Sequence, residues 1–142
     1  MIKEMSFIHP EAKIGKDVEI GPFVYIDRNV EIGDGCQIMP HATILSGARI
    51  GKNVRIFPNA VISAIPQDLK FKGEETTAVI GDNTTIRECA TVNRGTASKG
   101  TTIVGSNCLI MAYAHIAHDC RLANNIIIGN ASQIAGEVLI DD

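Results

Sequence analysis

The chain has 142 residues, 45% apolar and 20% charged, a composition that argues against disorder and suffices for one domain with a buried core. Its net charge is -3 with no cluster of Lys and Arg, which leaves no electrostatic footprint for nucleic acid or an anionic membrane surface. No stretch approaches the roughly 20 apolar residues of a membrane span, and Met1–Met5 has no cleavable leader signature, so a cytoplasmic protein without membrane insertion is expected.

From Ile8 to Ile62 every sixth residue is isoleucine. The phase resumes at Ile80, Ile86 and Val92, then runs through Val104, Ile110, Ile116, Leu122, Ile128, Ile134 and Ile140. Twenty of the twenty-three sixth positions are thus Ile, Leu or Val, and only Asp68, Glu74 and Ser98 break the pattern. Two residues before each aliphatic stands a small or β-branched residue such as Ala12, Val18, Cys36 or Ala114, and Gly often follows it. A period of six suits neither an α-helix nor a hairpin array. It suits a solenoid whose short strands stack through a repeating turn, three hexapeptides making one triangular coil of 18 residues. One large and one small side chain per face fill the prism, and Gly or Asn is expected at corners that need an unusual backbone. The expected fold is therefore an all-β, parallel β-helix over residues 1–142 with two protruding loops. Cys36, Cys89, Cys108 and Cys120 lack metal-binding spacing, so they are expected to be reduced packing residues.

The first loop is Ala64–Glu75, where charges occupy core positions before the phase returns at Ile80. The second is Asn93–Thr101. Surface loops of no consequence are the ordinary reading, but two polar excursions on a regular scaffold point to function. Next comes Ala114-His115-Ile116-Ala117-His118-Asp119-Cys120. Neither histidine falls on an inward position, so both are expected to face outward, and an imidazole beside a carboxylate can serve as a general base. Residues 18 apart should stack about 4.8 Å apart on successive coils. That places Gly136 over His118, Gln133 over His115 and Glu137 over Asp119. A glycine beside a base leaves its N–H open to stabilise an oxyanion.

Together the hexapeptide array, Ile65-Pro66-Gln67-Asp68-Leu69-Lys70-Phe71, Ile86-Arg87-Glu88 leading to Asn93-Arg94-Gly95-Thr96, and Ala114–Cys120 resemble the acyl-acyl carrier protein:UDP-N-acetylglucosamine O-acyltransferase family of lipid A synthesis. The resemblance implies a left-handed coil and transfer of a 3-hydroxyacyl chain from acyl carrier protein to the 3-hydroxyl of UDP-N-acetylglucosamine. It implies His118 as the base, Asp119 as its orienting partner and Gly136 as the oxyanion donor, with Asp68, Lys70 and His115 binding substrate; Gln133, stacked over His115, is expected to bind it too. It also implies a homotrimer with active sites between subunits, in which Asp68 and Lys70 serve another subunit's His118. No cofactor and no metal are expected, because the thioester is already activated. The family carries later coils and a helical C-terminal domain, so a truncated chain is expected, and Glu137 stands where related sequences often have His.

Three other readings compete. A zinc carbonic anhydrase on the same solenoid needs three histidines, and His41 should lie about four coils, roughly 20 Å, from His115. The N-acyltransferase of the same pathway usually has an extra N-terminal domain, whereas here the repeat begins at Ile8. A non-catalytic scaffold would not need His118 stacked on Gly136, and an ice-binding face would need a regular Thr or Ser row on one flat side, which the sequence lacks.

Overall fold

The aliphatic at each repeat position ends a strand of two to four residues, except at Ile62 and Val92, where the strands run on to Ala64 and Asn93. The computed structural model describes residues 5–142, and within them twenty such strands wind into three parallel sheets, the faces of a prism. One face carries seven strands: Phe7–Ile8, Tyr25–Ile26, Thr43–Ile44, Val61–Ala64, Thr91–Asn93, His115–Ile116 and Gln133–Ile134. The second, also of seven, runs from Lys13–Ile14 to Leu139–Ile140, and the third, of six, from Glu19–Ile20 to Ile127–Ile128. The coil is left-handed, as the resemblance implies.

Exact register holds the faces together. Ile26, Ile44, Ile62, Val92 and Ile116 lie one above another on the first face, and all are wholly buried. Each such side chain contributes about 1.5–3 kcal/mol by leaving water. The small residues fill the space between: Ala42, Ala48, Ala60, Ala90 and Ala114 are also wholly buried. Cys36, Cys108 and Cys120 are buried and free as expected, while Cys89 is only half-buried. The inner cysteines also act as donors, since Sγ of Cys36 and of Cys120 each reach a corner carbonyl, Gly51 O and Ala135 O, at 3.0 Å.

The corners divide their demands between two positions. Asn29, Asn53, Asn59, Asn83, Asn107 and Asn125 all adopt positive φ between 55° and 65°, the role expected for Asn. The glycines that directly follow the aliphatics serve another need. Gly33 and Gly81 are not in the left-handed region; a Cβ on Gly33 would lie 2.6 Å from Gly51 O, and one on Gly81 would lie 2.5 Å from the carbonyl carbon of Gly105. Successive coils approach too closely there for any side chain, so the expectation of an unusual backbone is corrected at these positions to one of close stacking.

Both loops leave the prism at the same corner, between the first and second faces, on consecutive coils. Ile62 and Ile80 are 18 apart in sequence, Val92 and Val104 are 12 apart, yet each pair is separated by a single corner. The loops add residues without adding coils. The separation of His41 and His115 is corrected accordingly: three strand spacings divide Thr43–Ile44 from His115–Ile116, about 14 Å rather than 20 Å. Among the described residues no three His, Cys, Asp or Glu side chains are grouped as metal ligands, and no helix is long and apolar enough to cross a membrane.

Replacing an exposed positive-φ Asn tests the corner argument. Asn83→Gly should leave the urea midpoint nearly unchanged, whereas Asn83→Val should lower stability by about 1–2 kcal/mol, because a β-branched residue resists the left-handed conformation. Equal stability of the two variants would refute it.

Candidate active site

The shared corner that releases both loops on two coils carries His118 and Asp119 on the third, and Gly136 and Glu137 on the fourth. The parallel register of Val92, Ile116 and Ile134 sets these levels. His118 follows the first-face strand His115–Ile116, so its side chain leaves the prism; loop residues then cover it, and only 16% of the side chain remains exposed. The expectation that both histidines face outward therefore holds for the prism but not for solvent, since His115 is half-buried too.

Asp119 turns the corner at φ 62° and is almost completely buried. Its Oδ2 lies 2.8 Å from His118 Nδ1. A carboxylate can only accept, so Nδ1 carries a proton, and in the neutral ring Nε2 is the nitrogen with the free lone pair. The second loop cradles the same carboxylate: the N–H groups of Thr96 and Lys99 donate to Oδ1 at 3.0 and 3.2 Å, and the Thr96 hydroxyl donates to Oδ2 at 2.5 Å. From inside the prism, the buried Thr102 hydroxyl accepts from the Asp119 N–H at 2.8 Å. Burial by itself pushes the Asp119 carboxyl up, but the donors, led by the Thr96 hydroxyl and His118, outweigh it and hold the group below the ordinary aspartate value.

Gly136 packs against the imidazole face. A Cβ there would stand 2.5 Å from both Cε1 and Nε2 of His118, so any side chain at this position must push the ring aside. The Glu137 N–H donates to His118 O at 2.9 Å, while no acceptor among the described residues takes the Gly136 N–H. The stacking expected from the 18-residue coil is present at all three levels.

Asp68 comes from the first loop, and its Oδ2 lies 3.7 Å from His118 Nε2 of the same chain. Within this chain the first loop folds back over its own corner. An Asx turn shapes the loop there, with the Lys70 N–H donating to Asp68 Oδ1 at 2.9 Å. The Lys70 side chain is exposed and forms no ion pair among the described residues. His115 Nδ1 meets Thr91 Oγ1 at 2.6 Å, and burial lowers its pKa, which favours the neutral ring. Gln133 pairs in register with His115, but its exposed amide donates to Tyr113 O and Ala131 O instead of entering the site. Sequence reasoning missed Thr96, Thr102 and Ser98, whose hydroxyl donates to Glu137 Oε1 at 2.8 Å. The polar second loop was the available signal, but its path was not.

Beside this corner, on the second face, a groove of about 500 Å³ is lined by Thr101, Ile103, Cys120, Arg121, Val138 and Leu139 among others. A more polar cleft of about 660 Å³ lies under the first loop over the N-terminal coils and does not include His118.

A family model described as the GMPPB C-terminal domain matches residues 2–98, and one described as bacterial transferase hexapeptide (six repeats) matches residues 101–136. An acyl-[acyl-carrier-protein]--UDP-N-acetylglucosamine O-acyltransferase of Thermodesulfovibrio yellowstonii is 44% identical over 99% of this chain and 55% of its own length. One of Xylella fastidiosa is 50% identical over 100% and 57%. The crystal structure of LpxA, a UDP-N-acetylglucosamine acyltransferase from Bacteroides fragilis, superposes with a TM-score of 0.99 at 63% identity, over 100% of this chain and 56% of that one. The chain belongs to the acyl-[acyl-carrier-protein]:UDP-N-acetylglucosamine O-acyltransferase family of hexapeptide-repeat proteins. It spans about half the length of the curated relatives it matches. Within that family frame, the hexapeptide match at 101–136 ends at the glycine packed on His118.

Two measurements check the geometry. In a carbon-detected NMR titration, the Asp119 carboxyl should protonate below the ordinary value near 4. Because its folded value is depressed, the carboxylate's contribution to stability is present above the unfolded value and is lost as pH falls through the folded one. The stability gap between wild type and Asp119→Asn should close across that window; a gap independent of pH would contradict the cradle. In a second test, Gly136→Ala should displace the His118 ring and change its imidazole ¹⁵N shifts, with little effect on the melting temperature. Unchanged shifts would mean that the ring is not packed on Gly136.

Proposed function

We propose that the full-length protein transfers a 3-hydroxyacyl chain from acyl carrier protein to the 3-hydroxyl of UDP-N-acetylglucosamine, in the cytosol, as the first step of lipid A synthesis. The observation that carries this reading is an imidazole tied through Nδ1 to a buried carboxylate, with Gly136 packed so closely on the ring that a Cβ would displace it. Nε2 takes the proton of the sugar hydroxyl as the hydroxyl oxygen bonds to the thioester carbonyl carbon. The charge that moves to the carbonyl oxygen meets the Gly136 N–H. When the intermediate collapses, the carbon–sulfur bond breaks, and the thiolate leaves with the proton held by the imidazolium. Asp119 keeps its charge throughout and stabilises that imidazolium. No step calls for a metal or a cofactor.

Asp68, 3.7 Å from Nε2, would accept from the same sugar, and His115 and Lys70 would be further substrate contacts, which Gln133 would join only by releasing Tyr113 O and Ala131 O. We propose a homotrimer with active sites between subunits. In support, Leu69 at the tip of the first loop is fully exposed, and Ile65, Ile127 and Leu139 are more than half exposed, apolar surface that a second copy would cover.

The reading is tested by hydroxyacyl transfer from acyl carrier protein to UDP-N-acetylglucosamine, comparing the full-length wild type with His118→Ala. Loss of roughly two to four decades in kcat is expected for removal of a general base. An unimpaired variant would overturn the base assignment, and an inactive wild type would overturn the reaction.

A further inference from the structure

Nothing in an acyl transfer requires the second loop to touch a carboxylate, yet three of its donors converge on Asp119. The Thr96 hydroxyl and the His118 Nδ1–H share one acceptor, Asp119 Oδ2. The loop is anchored on both sides of that contact. Its base is held by the Thr76 hydroxyl on Gly95 O and by the Gly95 N–H on Thr77 O at 3.1 Å, and its tip by Ser98 on Glu137 one coil further along. A glycine at position 95 is required for this path, because a Cβ there would stand 2.3 Å from the Thr101 nitrogen.

His118 sits between two carboxylates, Asp119 at Nδ1 and Asp68 near Nε2. A general base at this position must present a free Nε2 lone pair, so the charge on the Asp119 oxygen that Nδ1 meets bears directly on its work. We infer that Thr96 is a positioning residue that tempers His118: by donating to the oxygen that the imidazole also uses, its hydroxyl draws charge away from the ring and keeps the base available. The inference rests on the reading of His118 as the base. The hydroxyl also fixes the carboxylate plane, so that Oδ2 rather than Oδ1 faces the ring. The other charged or titratable groups around the pair are Lys99 from the loop, Cys120 and Arg121 beyond the corner, and Glu137 on the coil below. Of these, Glu137 is occupied by Ser98, and the Cys120 thiol, pushed up by burial, stays neutral.

The test compares Thr96→Val and Thr96→Ser in the full-length protein by pH–rate profile and by ¹⁵N NMR of the His118 imidazole. Loss of a hydrogen bond to a charged group corresponds to roughly one pH unit, so in Thr96→Val the acidic limb and the imidazole titration should both move up by about that amount. Thr96→Ser should restore the wild-type profile. A merely structural role would lower kcat without moving either midpoint, and that result, or a serine variant that behaves like valine, would overturn the inference. If wild type shows no transfer, the functional reading fails, while the imidazole titration still decides what Thr96 does. Should the valine variant not fold, the Thr96 hydroxyl proton in wild type remains to be observed: slow exchange and coupling to the Asp119 carboxyl support the contact, and fast exchange with solvent removes it.

Discussion

The strand-to-strand spacing of a parallel sheet, about 4.8 Å, is the ruler from which the whole site is built. The inward ladder of isoleucines keeps that spacing in register along the prism, and the corner between the first and second faces turns register into chemistry. Four consecutive coils deliver to one corner a loop bearing Asp68, a loop bearing Thr96, the pair His118–Asp119, and Gly136–Glu137. No long-range packing of helices or domains is needed to bring these groups within bonding distance. A shift of one residue in any of these strands would bury its outer side chain and expose its isoleucine, so the core protects the site against slippage.

That economy has an electrostatic consequence. At the regular corners, N–H groups such as those of Gly81, Asn83 and Glu137 are spent on carbonyls of the coil beside them, and those of Lys16 and Lys52 each give one bond to an exposed aspartate of the next coil. A buried carboxylate such as Asp119 would be costly there without compensation. The second loop supplies it with two N–H groups and a hydroxyl on an irregular path free of the coil ladder. The second loop therefore does more than line the site: it gathers three donors on one buried carboxylate, where the regular corners give Asp34 and Asp82 one backbone donor each.

How far this was legible from the chain depends on where one counts. After residue 101 the repeat is uninterrupted, so adding 18 gives the stacking of His118 on Gly136 and His115 on Gln133 correctly. Before it the loops break the arithmetic. Thr91, the neighbour of His115 on the coil before, lies 24 residues away, and Val61 pairs with Thr91 across 30. Simple counting hid the Thr91 contact and overstated the distance from His41 by a coil. The small corner glycines show the same limit from another side: composition marked them, but the need they meet is contact between coils rather than a backbone angle.

Contacts made by the loops were out of reach for a deeper reason. The path of an irregular segment is decided by which donors it can satisfy at its root, and those belong to other coils: Ala64 O takes the Arg94 N–H and Thr77 O takes the Gly95 N–H. Arg94 then bridges the two loops, its guanidinium 5.4 Å from the centre of the Phe71 ring and 3.3 Å from Ser46 O. With the loops joined in this way, Asp68 is drawn toward the histidine of its own chain, although nothing in the spacing of Asp68 and His118 foretells it. The regular part of the molecule thus follows from a period, and the reactive part from the hydrogen-bond needs of the two segments that interrupt that period.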